Sequence, residues 1–272
     1  MSTTIAEGPN SVVTGHFGSI QKTFKHPDLK LNHSNELVLL QAVLVDYLNI
    51  RRRVPIELRY EPNGDAILTM PRAKCDLVEY IDRGDVLGWS YERVVPLLTD
   101  VYGALSHIGC RFNFIHGDVK PENVVVYLRG PTPTFALIDY GLSVAMWEAK
   151  HRGSHSLQSL WYRAPERAYP HFQNQTLIDI WSMGVLTAYL FGGLYLFQAR
   201  TMNEQCRLCK NVKHSTTSSG DGQLSTLSTL QPLIYPSKYI PLIKLPLHVN
   251  PFERITAYRM CQLLKTCNNQ FE

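Results

Sequence analysis

The sequence predicts an α+β fold of two unequal lobes. A small β-rich lobe with one helix spans about residues 1–72, and a larger, mainly helical lobe spans about 73–272. Three observations carry this. Short runs suited to strands, punctuated by Gly, Pro and Asn, fill the first lobe around one apolar, helix-favouring run. Beyond Cys75 the chain reads as mainly helical, apart from a hairpin around a short polar loop. Composition is that of an ordinary globular chain: 272 residues, 44% hydrophobic and 18% charged, are enough to bury a substantial core.

Taken in order, Ser11 to Thr14 and Ser19 to Lys25 read as strands joined by the turn Gly15-His16-Phe17-Gly18. Glu36 to Leu48 reads as a helix, preceded by the polar capping stretch Asn32-His33-Ser34-Asn35. Val54 to Glu61 and Ala66 to Met70 flank Pro62-Asn63-Gly64-Asp65, a hairpin signal. Asn211 to Leu230 is rich in Ser, Thr and Gly with little periodicity, and is expected to be a mobile loop inserted among the helices.

Charge and cysteine usage exclude several classes. A net charge of +4 and a pI near 8.7 are mildly basic, without the dense cationic stripe of a nucleic-acid binder. Arg51-Arg52-Arg53 is the sharpest basic cluster and reads as a solvated loop. No apolar run approaches the ~20 residues that cross a bilayer, so no membrane partner is expected. Six cysteines without a signal peptide point to free thiols in a reducing compartment, the cytoplasm or nucleus. Cys206-x-x-Cys209 with His214 nearby is half a zinc pattern, but no fourth ligand stands at a familiar spacing; His33 and His171 are remote.

The densest chemistry lies in His116-Gly117-Asp118-Val119-Lys120-Pro121-Glu122-Asn123. Asp118 could accept a proton from a hydroxyl, Lys120 could steady a transferring phosphoryl group, and Asn123 could hold a metal ion. Asp139-Tyr140-Gly141 follows behind the apolar run Phe135 to Ile138. Ala164-Pro165-Glu166, Asp179-Ile180-Trp181-Ser182-Met183-Gly184 and Asn250-Pro251-Phe252-Glu253-Arg254-Ile255-Thr256-Ala257 come next, in that order. Singly, each would be turn chemistry or helix packing.

Together, in this order, they resemble the eukaryotic-type protein kinases: the catalytic loop H-R-D-L-x-x-x-N, then D-F-G, A-P-E, D-x-W-S-x-G and D-P-x-x-R-x-T-A. The resemblance covers nearly all of the chain and implies a single kinase domain over 1–272. It implies Asp118 as the group that orients the substrate hydroxyl and takes its proton, with Lys120 stabilising charge. Asn123 and Asp139 would hold Mg2+, and ATP would be the phosphoryl donor. Lysine two residues after Asp118, with Ser159-Leu160-Trp161-Tyr162-Arg163-Ala164-Pro165-Glu166, is similar to Ser/Thr kinases of the cyclin-dependent kind. Protein substrates with Ser or Thr acceptors are therefore implied, and any regulatory protein is unknown. Ser159 would bridge Asp118 and Lys120, Trp161 would pack in the core, and Glu166 would pair with Arg254.

The first lobe matches less well. A lysine must meet the nucleotide phosphates, held by a helix carboxylate. Lys22, Lys25 and Lys30 compete; Lys25 is preferred, with Glu36 as its partner, because Phe24 can then face the core while Thr23 and Lys25 share the opposite, nucleotide face. Glu36 could equally serve the helix macrodipole alone. A full G-x-G-x-x-G is absent, and with Lys25 in place Gly8 is the lone remnant of the phosphate cover. Met70-Pro71-Arg72-Ala73 looks like a hinge in which Pro71 and Ala73 face the adenine edge; a proline there resembles herpesvirus-encoded kinases, which would place the protein in a host cell. A plain strand end is the alternative for that segment. Gly117 stands where the family has the arginine that clamps a phosphorylated activation loop, so activity independent of phosphate on Ser154 or Ser156 is expected. The degenerate cover leaves a catalytically dead scaffold, a pseudokinase, as the alternative function.

Overall fold

A computed structural model of the chain describes residues 3–7, 11–25, 36, 38–40, 42–43, 56–83, 89–128, 130–149, 158–168, 177–193, 195–226 and 233–268. Gly8, the capping stretch 32–35, Lys30, the 51–53 cluster, Ser154, Ser156 and His171 lie outside the described residues.

The first lobe is an antiparallel sheet of β1 (Thr3–Glu7), β2 (Ser11–His16), β3 (Ser19–Phe24), β4 (Glu57–Tyr60) and β5 (Ala66–Pro71), in the order β1-β2-β3-β5-β4. Strand β1 had no counterpart in the sequence reading, and it pairs with β2 across a bulge between Thr4 and Ala6. The β2–β3 turn closes at Gly18, whose φ of +78° suits a residue without a Cβ. The β4–β5 turn uses Gly64 at φ +89°, with the Asn63 side chain accepting the Asp65 amide at 3.0 Å. Glu36, Val38 and Leu39 are helical and Leu40, Ala42 and Val43 follow in wider π-type turns. Leu39, Leu40 and Val43 are buried in the same core as Phe24, Ala66 and Leu68.

The second lobe opens with β6 (Cys75–Asp76) and α1 (Leu77–Asp82), whose N-terminus is capped by the Asp76 carboxylate on the Glu79 amide. Helix α2 (Tyr91–Phe112) buries one stripe, including Val94, Leu98, Val101, Leu105 and Ile108, and stops at Asn113 in a left-handed turn. Strands β7 (Phe114–Ile115), β8 (Val124–Tyr127), β9 (Thr134–Leu137) and β10 (Val144–Ala145) follow. Then come α3 (Met146–Ala149), α4 (Ile178–Gly192) and α5 (Met202–Lys210). Helix α4 is apolar on nearly every side because it runs through the lobe's centre, and Gly193 ends it at φ +65°.

The segment expected to be a mobile loop over 211–230 instead holds β11 (Lys213–Thr216) and β12 (Gly222–Ser225), which pair and are joined by β13 (Leu233–Tyr235); residues 227–230 lie outside the described set. The pairing is driven by few residues. Leu224 is fully buried, and Gly222 lets the Tyr235 ring and Ile240 close on its backbone. With polar residues at the other positions of β11 and β12, period-two alternation is nearly invisible there in the sequence. Helices α6 (Ile240–Lys244) and α7 (Ala257–Asn268) complete the lobe, α7 lying against α2. No helix among the described residues is long and apolar enough to cross a membrane.

Candidate active site

Strand β7 leads into the loop 116–123, and β10 leaves the Asp139 turn; the two strands pair, Ile115 with Val144 and Phe114 with Ala145. Everything between them is therefore a closed excursion with a fixed base. Within it, the Ile138 amide donates to the Asn123 carbonyl at 2.8 Å, binding the end of β9 to the loop.

His116 is fully buried and organises this excursion. Its Nδ1 accepts the Asp118 amide at 3.2 Å, so Nε2 carries the proton and donates to the Ile138 carbonyl at 3.1 Å. Its ring stands edge-on to Tyr140, 4.8 Å between centroids. Below, the Asp179 carboxylate at the start of α4 accepts the amides of His116 at 2.7 Å and Gly117 at 2.9 Å. Burial pushes the Asp179 carboxyl up despite those two donors.

Asp118 sits at the centre of a dense polar set. Its Oδ1 accepts both the amide and the hydroxyl of Ser159, each at 2.9 Å, and Lys120 Nζ lies 2.8 Å from Oδ2. Lys120 Nζ also donates to the Ser159 hydroxyl at 3.1 Å, so the expected Ser159 bridge exists. Burial would raise the Asp118 carboxyl, but the Lys120 ammonium and the two Ser159 donors outweigh it and hold it below the usual carboxylate range. Asn123 Nδ2 donates to the Asp118 carbonyl at 2.8 Å and to Oδ2 at 3.1 Å, which leaves its amide oxygen for another partner.

Asp139 adopts a left-handed backbone, φ +63°, rare for a residue with a Cβ. Its carboxylate is about half exposed and faces a cavity of about 530 Å³ between the lobes, a size suited to a nucleotide-sized ligand. Met70, Pro71 and Ala73 line the far end of that cavity, and Ala6, Val13 and Ile20 line it from the sheet. The Pro71 carbonyl accepts the Tyr127 hydroxyl at 3.2 Å.

The lysine assignment needs correction. Lys22, not Lys25, meets Glu36: Nζ to Oε1 is 2.7 Å, and the same Nζ lies 3.7 Å from Asp139. Lys25 is half exposed beside Glu7 at 3.8 Å. The reason is geometric. The expectation put core and nucleotide on opposite faces of β3, but they share one face. Ile20, Lys22 and Phe24 point the same way, Phe24 into the core and the other two into the cavity, with Lys22 Nζ 4.9 Å from the Phe24 ring centroid. Glu36 therefore has a partner besides the helix macrodipole. Trp161 also departs from expectation: it is 37% exposed, and its Nε1 donates to the Ala199 carbonyl.

Glu166 and Arg254 form the expected buried pair, Nη1 to Oε1 at 2.5 Å and Nη2 to Oε2 at 3.0 Å. Cys206 and Cys209 are buried free thiols. Among the described residues no three His, Cys, Asp or Glu side chains gather around one point. The Asn123 amide oxygen and the Asp139 carboxylate are hard donors of the kind magnesium prefers, with phosphate oxygens and water to complete the shell. The sequence reading missed Tyr127 and Val125 in the cavity, although their alternation on β8 carries the signal. It also missed Gln158, which has no motif of its own.

Residues 24–265 match the family model described as "Protein kinase domain". The chain is 33% identical to serine/threonine-protein kinase prpf4B of Dictyostelium discoideum over 46% of its length and 15% of that protein's. It is 27% identical to a "Probable cell division protein kinase" of Encephalitozoon cuniculi over 74% of the chain and 71% of the relative. It is 30% identical to cyclin-dependent kinase 14 of Oryctolagus cuniculus over 45% of the chain and 25% of the relative. The matched stretch is thus a minor part of two of these three proteins.

Proposed function

The chain belongs to the protein kinase domain family, and from that premise we propose that it transfers the γ-phosphoryl group of ATP to Ser or Thr hydroxyls of protein substrates. The observation that carries the reading is the joint hold of Lys120 and Ser159 on Asp118. It keeps a carboxylate ionised and oriented where an acceptor hydroxyl would arrive, and puts an ammonium beside it for the charge that develops on transfer.

Roles follow from placement. Asp118 orients the hydroxyl and receives its proton. Lys120 stabilises transition-state charge. Lys22, set by Glu36, contacts the phosphates from the sheet side of the cavity, while Pro71 and Ala73 offer their backbone to the adenine edge. Asn123 and Asp139 would hold Mg2+, which when bound neutralises phosphate charge and aligns the transferred group. Both side chains fit that ion as hard oxygen donors. Catalysis is then mostly positioning and electrostatics, so loss of any one group shows in turnover more than in substrate affinity. Substrates, regulators and compartment of the whole protein belong to this proposal too; cyclin-dependent likeness makes a cyclin-type regulator one candidate. The relatives reported above are not viral, and the viral likeness rests on the compact build and the proline after Met70.

Transfer of labelled γ-phosphate to a generic basic protein, wild type against Asp118→Asn, tests this. The expected outcome is a loss of roughly a hundredfold or more. Equal signals would favour a catalytically dead scaffold, and transfer only to small alcohols would favour a small-molecule kinase.

A further inference from the structure

We propose that Gln158 is a positioning residue for Asp118: its carboxamide and left-handed backbone lock Ser159 onto the Asp118 carboxylate and tie both to one face of α4. The inference rests on the transferase reading of the site and adds the device that orders it.

Gln158 is 97% buried in effect, with only 3% of its surface exposed, and every polar group it owns is engaged. Nε2 donates to the Ile178 carbonyl at 2.9 Å and to the Ser182 hydroxyl at 2.7 Å. Oε1 accepts the Ala164 amide at 3.2 Å. Its own amide donates to the Gly117 carbonyl at 2.6 Å, and its carbonyl accepts Arg163 Nε at 3.1 Å and Nη2 at 2.6 Å. A side chain satisfied this fully inside a protein fixes its backbone, since any shift strands a buried polar group.

The backbone it fixes is strained. Gln158 stands at φ +65°, a region that residues with a Cβ rarely adopt. Its hydrogen-bond partner Gly117 stands at φ +83°. Two left-handed residues therefore meet in one bond, and each turns the next residue inward: Asp118 after Gly117, Ser159 after Gln158. The two inward residues are the pair joined by the Ser159 donors.

Both turns are anchored on the same helix. Asp179 holds the Gly117 amide and Ser182 holds the Gln158 carboxamide, and residues three apart share a helix face. The circuit Asp179–Gly117–Gln158–Ser182 is built around the catalytic carboxylate from groups that need no added phosphate. A proton acceptor moved by about 1 Å can lose on the order of a hundredfold in rate, so this hold matters to turnover.

The test combines kinetics with an exchange measurement that does not depend on activity. The variants are Gln158→Met, which keeps the side-chain length without its polar groups, and Ser182→Ala, which removes one acceptor of the Gln158 carboxamide. For each, kcat and KM are measured, and hydrogen exchange of the Ser159 amide, which donates to Asp118 Oδ1, is followed by NMR against amides inside α4. In Gln158→Met, kcat should fall about tenfold or more at unchanged KM for ATP. The Ser159 amide should exchange about tenfold or more faster while the α4 amides keep their protection, with a smaller change of the same sign in Ser182→Ala. A folded Gln158→Met with wild-type kcat and wild-type Ser159 exchange overturns the proposal. If that variant fails to fold, unchanged Ser159 exchange in Ser182→Ala overturns it instead. A wild type that phosphorylates no protein would sink the transferase reading, while the exchange would still decide the role of Gln158.

Discussion

Lys22 Nζ lies 2.7 Å from Glu36 Oε1 and 3.7 Å from Asp139, so one ammonium joins the sheet, the first-lobe helix and the Asp139 turn across the cavity. Glu36 is nearly fully buried, and such a carboxylate is stable only with a partner. Lys22→Met should lower phosphoryl transfer by about a hundredfold, the scale of losing one donor to transition-state charge. Lys25→Met removes only an exposed contact with Glu7 and should leave activity within about twofold, since surface pairs contribute ~0–1 kcal/mol. Steady-state transfer assays on both variants decide; a larger loss in the Lys25 variant would mean the strand register is wrong.

Gly117 offers no guanidinium to gather a phosphorylated loop, and its carbonyl is already bonded to Gln158. Purified protein treated with phosphatase should keep most of its activity; losing most of it would count against a phosphate-independent site. Gly117→Ala should also cost about 1–2 kcal/mol of stability, because φ is +83° there. Denaturant unfolding measures that cost.

The Glu166–Arg254 pair should show the asymmetry of buried charges. Both side chains are almost wholly excluded from solvent, and Arg254 also donates to the carbonyls of His248 and Leu177. Arg254→Met strands the Glu166 carboxylate and two carbonyls, an expected loss of about 3–5 kcal/mol. Urea unfolding of the variant should show it as a lower midpoint at unchanged slope.

His214 predicts a pH dependence. Burial, with Lys244 and His248 nearby, lowers its pKa to about 4 in the folded protein, against about 6.5 in the unfolded chain. The unfolded state then binds the proton first, so stability falls as pH drops from about 6.5 towards 4, by up to about 3 kcal/mol. His214→Gln should flatten the melting temperature between pH 7 and 5 relative to wild type. A wild-type curve already flat over that window would contradict the half-buried placement of the ring.

Much of the candidate site was legible because its groups are close in the chain. Asp118, Lys120 and Asn123 share one loop, and loop chemistry is written in local spacing. Asp139, Glu166 and Arg254 were found by order along the chain. Gln158 was not legible: its partners Gly117, Ile178 and Ser182 are 20 to 41 residues away, and nothing local marks a glutamine that will be buried. The β11–β12 hairpin was hidden for the opposite reason, since its local pattern is polar and only Leu224, and Gly222 against Tyr235 of β13, reveal what it packs against.

By itself the sequence determined the two-lobed α+β architecture and the family likeness, and it marked the 116–123 loop as the densest run of candidate groups. Tertiary structure decided which lysine enters the cavity and what holds Asp118 in place. Strand faces alternate every residue, so the choice between Lys22 and Lys25 turns on which face of β3 meets the other lobe. That is a property of sheet and helix packed together, and no stretch of chain carries it alone.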